Sequence, residues 1–548
     1  MILGTIFLMF ATIFFMFGRE LKVVLFPSSY PAYINVIAEL PIGTDIYTTD
    51  NFAKELEEDV FVILEPYNHI MKNVLTTVGN GAKGENDAFE LSTTPNQALI
   101  TINFVDYEFR EGINTFDIMR ELGEKLVGRY PGVFISVEKP NEGPPTGKPI
   151  NIEISGKEYE PLVALSDSIL RQMERENIPG IEGLKLDLDM GNPEMLVHID
   201  RDKARRFGLS TGQIAMTMRT ALFGNEISQF KDGEDEYPIQ LRLKDQYRYD
   251  IPSLMNQKIT FRNASNGRIM QVPVSAVATF SYSTTYGQVK RKNMDRVITI
   301  YSNVLGGYNA NEINAQLKPL MAAYDMPEGF KYEFTGEQEE QEESMIFLLT
   351  ALIIAVSLIT VILVSQFNSI VKPLIIMASV LFSTIGVIGG LATFKMDFVV
   401  IMTGIGIVSL AGVVVNNAIV LLDYIDLIKK RRRKELGLEE KALLSKEDSM
   451  KCVEEAGKTR LRPVLLTAIT TILGLLPMAI GLNINFETLL TDLDAQIFFG
   501  GDNMIFWGPL SWTVIFGLTF STFLTLVIVP SMYHFAYLVK LRIHSRKS

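Results

Sequence analysis

Apolar residues follow two rhythms along this chain, and the change falls near residue 340. Before it, short alternating segments are separated by stretches whose apolar positions recur every three or four residues, the patterns of strands and amphipathic helices. After it come five runs that contain no Lys, Arg, Asp or Glu: Met345 to Val364, Pro373 to Phe394, Phe398 to Leu422, Pro463 to Leu482 and Ile505 to Tyr537. About twenty helical residues cover the ~30 Å hydrocarbon layer of a bilayer, so each run predicts a transmembrane helix. A sixth span is expected from "MILGTIFLMFATIFFMFG" at Met1. A signal peptide would need a basic leader and a small-residue cleavage site, and this run has neither.

Between the first span and residue 338, a strand–helix–strand unit appears four times. In the first, "AYINVIAEL" precedes a helix carrying Phe52, Leu56, Val60 and Ile63, then "IMKNVLTTV". The second alternates Ile100, Ile102 and Phe104, lines a helix with Ile118, Leu122 and Leu126, capped by Asn114 or Thr115, and ends in "VFISVEK". The third has Ile150, Ile152 and Ile154, a helix opened by Pro161 with Leu165, Ile169 and Met173, then "LKLDLDM". The fourth runs "RVITIYSNVL", a helix with an Asn309–Glu312 capping box that Pro319 should bend or interrupt, then "FKYEF".

Two such units make one βαββαβ sandwich. The expected organisation is a first span at 1–25, a ferredoxin-like subdomain at 26–145, a second at 146–190 and 291–338, an inserted α+β domain at 191–290, and five spans within 339–548 joined by a basic loop at 426–460. The insert should contain the strand "MLVHID", the helix "TGQIAMTMRTAL", the strand "YPIQLRL" and a hairpin turning at Asn266-Gly267. The predicted fold class is a membrane protein with six transmembrane α-helices and a large external α+β region.

Charge sets the orientation. Loop 426–460 contains "KKRRRK" and holds eleven Lys/Arg against eight Asp/Glu, and the tail ends "KLRIHSRKS". Both should face the cytoplasm, placing residues 26–344 outside. Such clusters also meet anionic lipid head groups and need no other ligand. The net charge of -12 argues against nucleic acid as a partner. The one cysteine, Cys452, lies in the cytoplasmic loop, so the external region must hold together without disulfides.

Enzymatic chemistry finds little support. "GLSTG" at Gly208–Gly212 matches a nucleophile-elbow pattern, but a short helix precedes it and Ser210 with Gln213 reads as a capping box that starts a helix. His69, His198, His534 and His544 have no metal-ligand spacing with one another or with Cys or acids. The methionines mostly sit in apolar runs, where they fill space. "NAS" at Asn263 is explained by the hairpin turn.

The informative residues are the polar ones inside the spans, because an amide in hydrocarbon needs a partner. "GVVVNNAIVLLDYI" places Asn416 and Asn417 side by side. Ser409, Gly412, Asn416, Val420 and Asp423 fall on one helical stripe that should face other helices. A second stripe carries Arg460, Thr467, Thr471 and Gly474, where Arg460 and Thr467 can bond a carboxylate or a water chain. Plain helix–helix glue is the alternative reading of both stripes.

In order of elements and in two motifs, the chain resembles the C-terminal half of a resistance-nodulation-division (RND) efflux transporter. "GIVSLAGVVVNNAIVLLDYI" looks like that family's tenth helix and "TRLRPVLLTAITTILGLLPMAIG" like the start of its eleventh. The resemblance implies a multi-pass protein of the inner membrane of a Gram-negative cell, with periplasmic porter subdomains, a docking insert and a cleft that admits small amphiphilic substrates. It implies a trimer joined to a periplasmic adaptor and an outer-membrane channel, run by the proton-motive force with no cofactor. Arg460 and Thr467 match the family's relay arginine and threonine; Asn416 stands where many drug pumps have a lysine, with Asn417 and Asp423 beside it. Asn416 carries no titratable proton, and the proton-accepting aspartates belong to an N-terminal half that this sequence lacks. A protein-export motor half of the SecD/SecF type shares the layout but places an aspartate at the asparagine pair. A non-transporting assembly subunit or gene fragment is the other alternative.

Overall fold

The computed structural model describes residues 2–18, 21–27, 30–79, 94–139, 147–188, 190–262, 267–286, 289–305, 308–439, 442–491 and 493–545. Helix α1 (Ile2–Phe17) leads through a two-residue strand, β1 (Val23–Val24), into the first sheet. There β2 (Tyr33–Glu39), α2 (Ile46–Leu64), β3 (Met71–Val78), β4 (Gln97–Phe104), α3 (Thr115–Leu126) and β5 (Phe134–Glu138) follow in βαββαβ order. The antiparallel strands lie in the order β3-β4-β2-β5. Alternation puts Ile34, Val36, Ile100 and Ile102 on one face, where they bury against Leu56 and Val60 of α2 and Ile118 and Leu122 of α3. Asp45 and Asn114 start the two helices by accepting backbone N–H bonds from Tyr47 and Phe116.

The second layer begins with β6 (Ile150–Gly156), α4 (Tyr159–Glu176) and β7 (Lys185–Leu186). The strand expected over "LKLDLDM" pairs over only two residues, because the chain leaves the sheet there for a separate compact unit, residues 188–289. In that unit, β8 (Met190–Ile199) leads to the short helix α5 (Arg201–Phe207) and helix α6 (Thr211–Phe223). Gly208 closes α5 in a left-handed conformation, and Ser210 with Gln213 forms the capping box of α6. A ribbon, β9 (Asn225–Asp232) and β10 (Asp235–Leu241), is exposed along its whole length. Short helices α7 (Asp245–Arg248) and α8 (Ile251–Met255), a hairpin of β11 (Lys258–Arg262) and β12 (Ile269–Pro273), and β13 (Ala278–Tyr286), which pairs with β8, complete it. Asn263 and Asn266 lie outside the described residues.

The chain then returns through β14 (Arg291–Lys292), β15 (Asp295–Ser302), α9 (Ala310–Ala323) and β16 (Phe330–Phe334). β15 pairs with β6 and β7, and β16 with the other edge of β6, repeating the strand order of the first layer. Asn309 caps α9 by accepting from the Asn311 N–H. The helix runs through Pro319 to Ala323, so this proline does not interrupt it.

The apolar runs fold as α10 (Glu337–Phe367), α11 (Val371–Phe394), α12 (Val400–Glu435), α13 (Lys446–Ile480) and α15 (Asp502–Ser545). Two-residue strand β17 (Phe398–Val399) pairs with β1; β18 (Leu482–Asn483), short helix α14 (Phe486–Thr491) and β19 (Phe498–Phe499) lie between α13 and α15. Among the described residues, five helices are long and apolar enough to cross a membrane. The sixth candidate, α1, has 16 residues, or about 24 Å of rise, shorter than the hydrocarbon layer. The basic stretch 426–460 is not the loop its charge suggested. Lys, Arg and Glu are good helix formers, so α12 continues to Glu435, Ser445 caps α13, and only 436–445 connect them.

Helix α15 sits at the centre of the bundle, against α11, α12 and α13. Small residues set that packing. A Cβ at Gly390 of α11 would lie 2.3 Å from Phe516 Cγ, and one at Gly517 would lie 2.1 Å from Leu410 Cδ2. In lipid, association rests on such close fits because hydrocarbon competes for every apolar contact.

Candidate functional site

The polar positions of α12 and α13 meet along one seam. Asn417, only 8% exposed, accepts from Thr467 Oγ1 at 3.4 Å. The same hydroxyl donates to the Val464 carbonyl at 3.0 Å. Asn417 lies off the predicted stripe, and the stripe itself stays together on the outside. Asn417 points into the bundle, whereas Ser409, Gly412, Asn416, Val420 and Asp423 are all exposed, contrary to the expectation that the stripe packs against other helices of the chain. The reason is angular: neighbouring residues on a helix point about 100° apart, so two adjacent asparagines cannot share one seam.

On α13, Thr467 and Gly474 are also exposed, and a Cβ at Gly412 or Gly474 would meet nothing within 4 Å. Among the described residues, Arg460 reaches no carboxylate. Its guanidinium lies 4.4 Å from the centroid of the Tyr424 ring, and its buried Nε has no hydrogen-bond partner. The structure therefore brings Asn417 and Thr467 together and leaves Asn416, Asp423 and Arg460 along an open face.

A second polar cluster closes the bundle at the end opposite the sheets, and the sequence patterns did not reveal it. Asp426 of α12 pairs with Lys372 of α11 and accepts from Tyr533 Oη of α15 at 2.7 Å. One turn on, Lys429 is 2% exposed, with its Nζ 4.4 and 3.8 Å from the ring centroids of Tyr533 and Tyr537. Asp426 and Lys429 at i, i+3 with Tyr533 and Tyr537 at i, i+4 were the available signal.

The two sheet layers meet around a cavity of about 680 Å³ lined by Phe116, Met119, Val137, Tyr308, Asn314 and Gln341, among others. Beside it, Glu182 accepts from Ser136 Oγ, the Val137 N–H and Asn303 Nδ2 at 3.0–3.1 Å. Asn303 also donates to Glu138, which pairs with Lys148 at 2.6 Å. Burial pushes the Glu182 carboxyl above the ordinary carboxylate range, against those hydrogen bonds. Among the described residues, no group of three or more His, Cys, Asp or Glu is placed to hold a metal ion.

Residues 1–488 match the AcrB/AcrD/AcrF family. The chain is 28% identical over 363 residues to the cobalt-zinc-cadmium resistance protein CzcA of Cupriavidus metallidurans, covering 66% of this chain and 31% of that protein. It is 25% identical over 386 residues to the multidrug resistance protein MdtC of Erwinia tasmaniensis, covering 69% and 34%. In three dimensions it is similar to a heavy metal efflux pump solved by X-ray crystallography, with TM-score 0.72 and 20% identity, over 98% of this chain and 51% of that one. At that identity the likeness is one of fold. The chain spans about half the length of that structure.

Proposed function

The chain belongs to the AcrB/AcrD/AcrF family of RND efflux transporters, and from that membership we propose that it is the C-terminal half of a proton-driven pump whose acidic proton acceptors come from a companion N-terminal half. The observation that carries this reading is the open polar face of α12 and α13. Asn416 and Asp423 are exposed on the longest of the helices that flank the seam, where hydrocarbon would leave an amide unsatisfied. A companion helix bearing carboxylates would meet Asn416, Asp423, Arg460 and Thr467, with Asn417 bonded behind Thr467. Its protonation would change what those groups can bond and so shift the helices.

In this reading α1 is the sixth span, the end of the bundle bearing Asp426 and Lys429 faces the cytoplasm, and the sheet layers are periplasmic ferredoxin-like porter subdomains. Unit 188–289 is the docking domain, and the wholly exposed β9–β10 ribbon supports assembly as a trimer with an adaptor and an outer-membrane channel. The cavity between the layers would receive amphiphilic or toxic compounds, since its lining mixes aromatic and aliphatic side chains with amides. The names of CzcA and of the solved pump favour metal ions as a second substrate class.

The test is dye efflux from cells that express this chain and an N-terminal half, separately and together. Only the pair should lower dye accumulation, and efflux by this chain alone would overturn the proposal. Within a working pair, Arg460→Ala should abolish efflux while the two halves still copurify. Unimpaired efflux would remove Arg460 from the relay.

A further inference from the structure

The connection between α13 and α15 is longer than two adjacent spans need, and it is built in an unusual way. Its neck is closed, because the Gly500 N–H donates to the Gly481 carbonyl at 2.9 Å and Asn483 Nδ2 donates to the carbonyls of both glycines. Beyond the neck, polar groups of the loop bond back onto the loop itself. The Asn485 N–H donates to the Ala495 carbonyl, Asn485 Nδ2 to Gln496 Oε1, Thr488 Oγ1 to the Asp494 carbonyl and the Gln496 N–H to Asp494 Oδ1.

The apolar side chains of the same loop point away from these bonds. Leu490 is 82% and Leu493 88% exposed, and Phe486, Ile497 and Phe499 are exposed beside them. Leu493 is held at φ 57°, a left-handed conformation that a leucine adopts only when its surroundings impose it. The loop is anchored on its other side: Phe498 lies 6.3 Å from the Tyr107 ring centroid, and Gly500 fits so closely that a Cβ there would lie 2.6 Å from Tyr107 Oη.

We infer that this loop is a membrane-inserting plate whose apolar tips sit in the leaflet on the side of the sheet layers. Three observations choose lipid over other occupants. The closed neck joins the ends of two spans, so the loop starts at the bilayer boundary and stays there. Trp507, 42% exposed in the second turn of α15, lies at the depth where Trp marks the membrane–water interface. The hydrogen bonds that the loop closes on itself lower the cost of approaching a medium without hydrogen-bond partners. The three acidic residues of the loop sequence, Glu487, Asp492 and Asp494, limit the depth to the head-group boundary. The inference rests on the membrane placement of the helices and not on transport.

The full chain, reconstituted into phosphatidylcholine–phosphatidylglycerol vesicles, provides the test. In a Cys452→Ala background, single cysteines are introduced as Leu490→Cys, Leu493→Cys, Leu349→Cys on the exposed face of α10, and Arg219→Cys in the separate unit, and each is labelled with an environment-sensitive fluorophore. The two loop probes should emit to the blue of the Arg219 probe and, like the Leu349 probe, lose at least half their emission to lipids brominated on the acyl chains. Loop probes that behave like the Arg219 probe would show a solvated loop and overturn the inference. Blue-shifted emission that brominated lipid does not quench would also overturn it, by assigning the tips to a protein surface.

Discussion

Replacing Asn417 with Leu and Thr467 with Val, singly and together, measures what the seam between α12 and α13 owes to its direct polar bond. The donor–acceptor distance of 3.4 Å is at the long end for a hydrogen bond. Thr467 has one hydroxyl proton, and the Val464 carbonyl at 3.0 Å competes for it. Hydrogen bonds between membrane helices average about 0.6 kcal/mol in double-mutant cycles and reach about 1.7 kcal/mol. A long, shared bond falls at or below the average, so the expected coupling is about 0.5 kcal/mol, roughly a twofold change in an equilibrium constant. Each single change exchanges a polar group for an apolar one of similar size, and should shift stability by less than about 1 kcal/mol. Equilibrium unfolding of the four chains in mixed micelles gives the cycle. Coupling above about 1.7 kcal/mol would refute the weak-joint reading, because it would require further partners for Asn417 inside this chain.

Three further substitutions probe the packing and the network around Glu182. Gly390→Ala places a methyl against Phe516 and should cost about 1–3 kcal/mol, whereas Gly412→Ala, with open space around it in the interior of α12, should be neutral or stabilising by up to about 1 kcal/mol; equal thermal shifts for the two would contradict the packing described. Because burial raises the Glu182 carboxyl, the folded protein holds that proton more tightly than the unfolded chain. Its contribution therefore favours folding at low pH and is lost as pH rises through the raised value. Glu182→Gln should flatten that part of a Tm-versus-pH profile, and an unchanged slope would show that Glu182 does not set it.

The sheets were legible in the sequence because each element's core face repeats with its own period: Ile100, Ile102 and Phe104 alternate, and Ile118, Leu122 and Leu126 recur every four residues. Span positions were legible from length and charge, but their ends were not. Lys429 to Lys434 read as a loop on hydropathy, although they are good helix formers and continue α12. The Asp426 cluster escaped because it joins α11, α12 and α15 through residues more than fifty positions apart. At the seam, sequence identified the polar residues but not their directions, and the adjacent pair Asn416 and Asn417 turned out to face different surroundings.

Exposure carries different information in a bilayer than in water. Only Gln341 and Leu363 of α10 are buried, yet its apolar face needs no protein cover, since lipid tails are as apolar as leucine. The polar residues of the open face are the ones that require a partner, and they differ among themselves. Asp423 lies near the end of the apolar run and can reach head-group water by extending its side chain. Asn416 sits seven residues deeper, about 10 Å along the helix, and its short side chain cannot make that reach. Asn416→Leu therefore separates the two possible surroundings. In the chain expressed alone the substitution should raise the Tm, because it removes an unpaired amide from lipid; with an N-terminal half present it should weaken copurification, because it removes a bond across the joint. A lower Tm in the chain alone would mean that Asn416 already has its partner within these residues, and the open face would then need no companion.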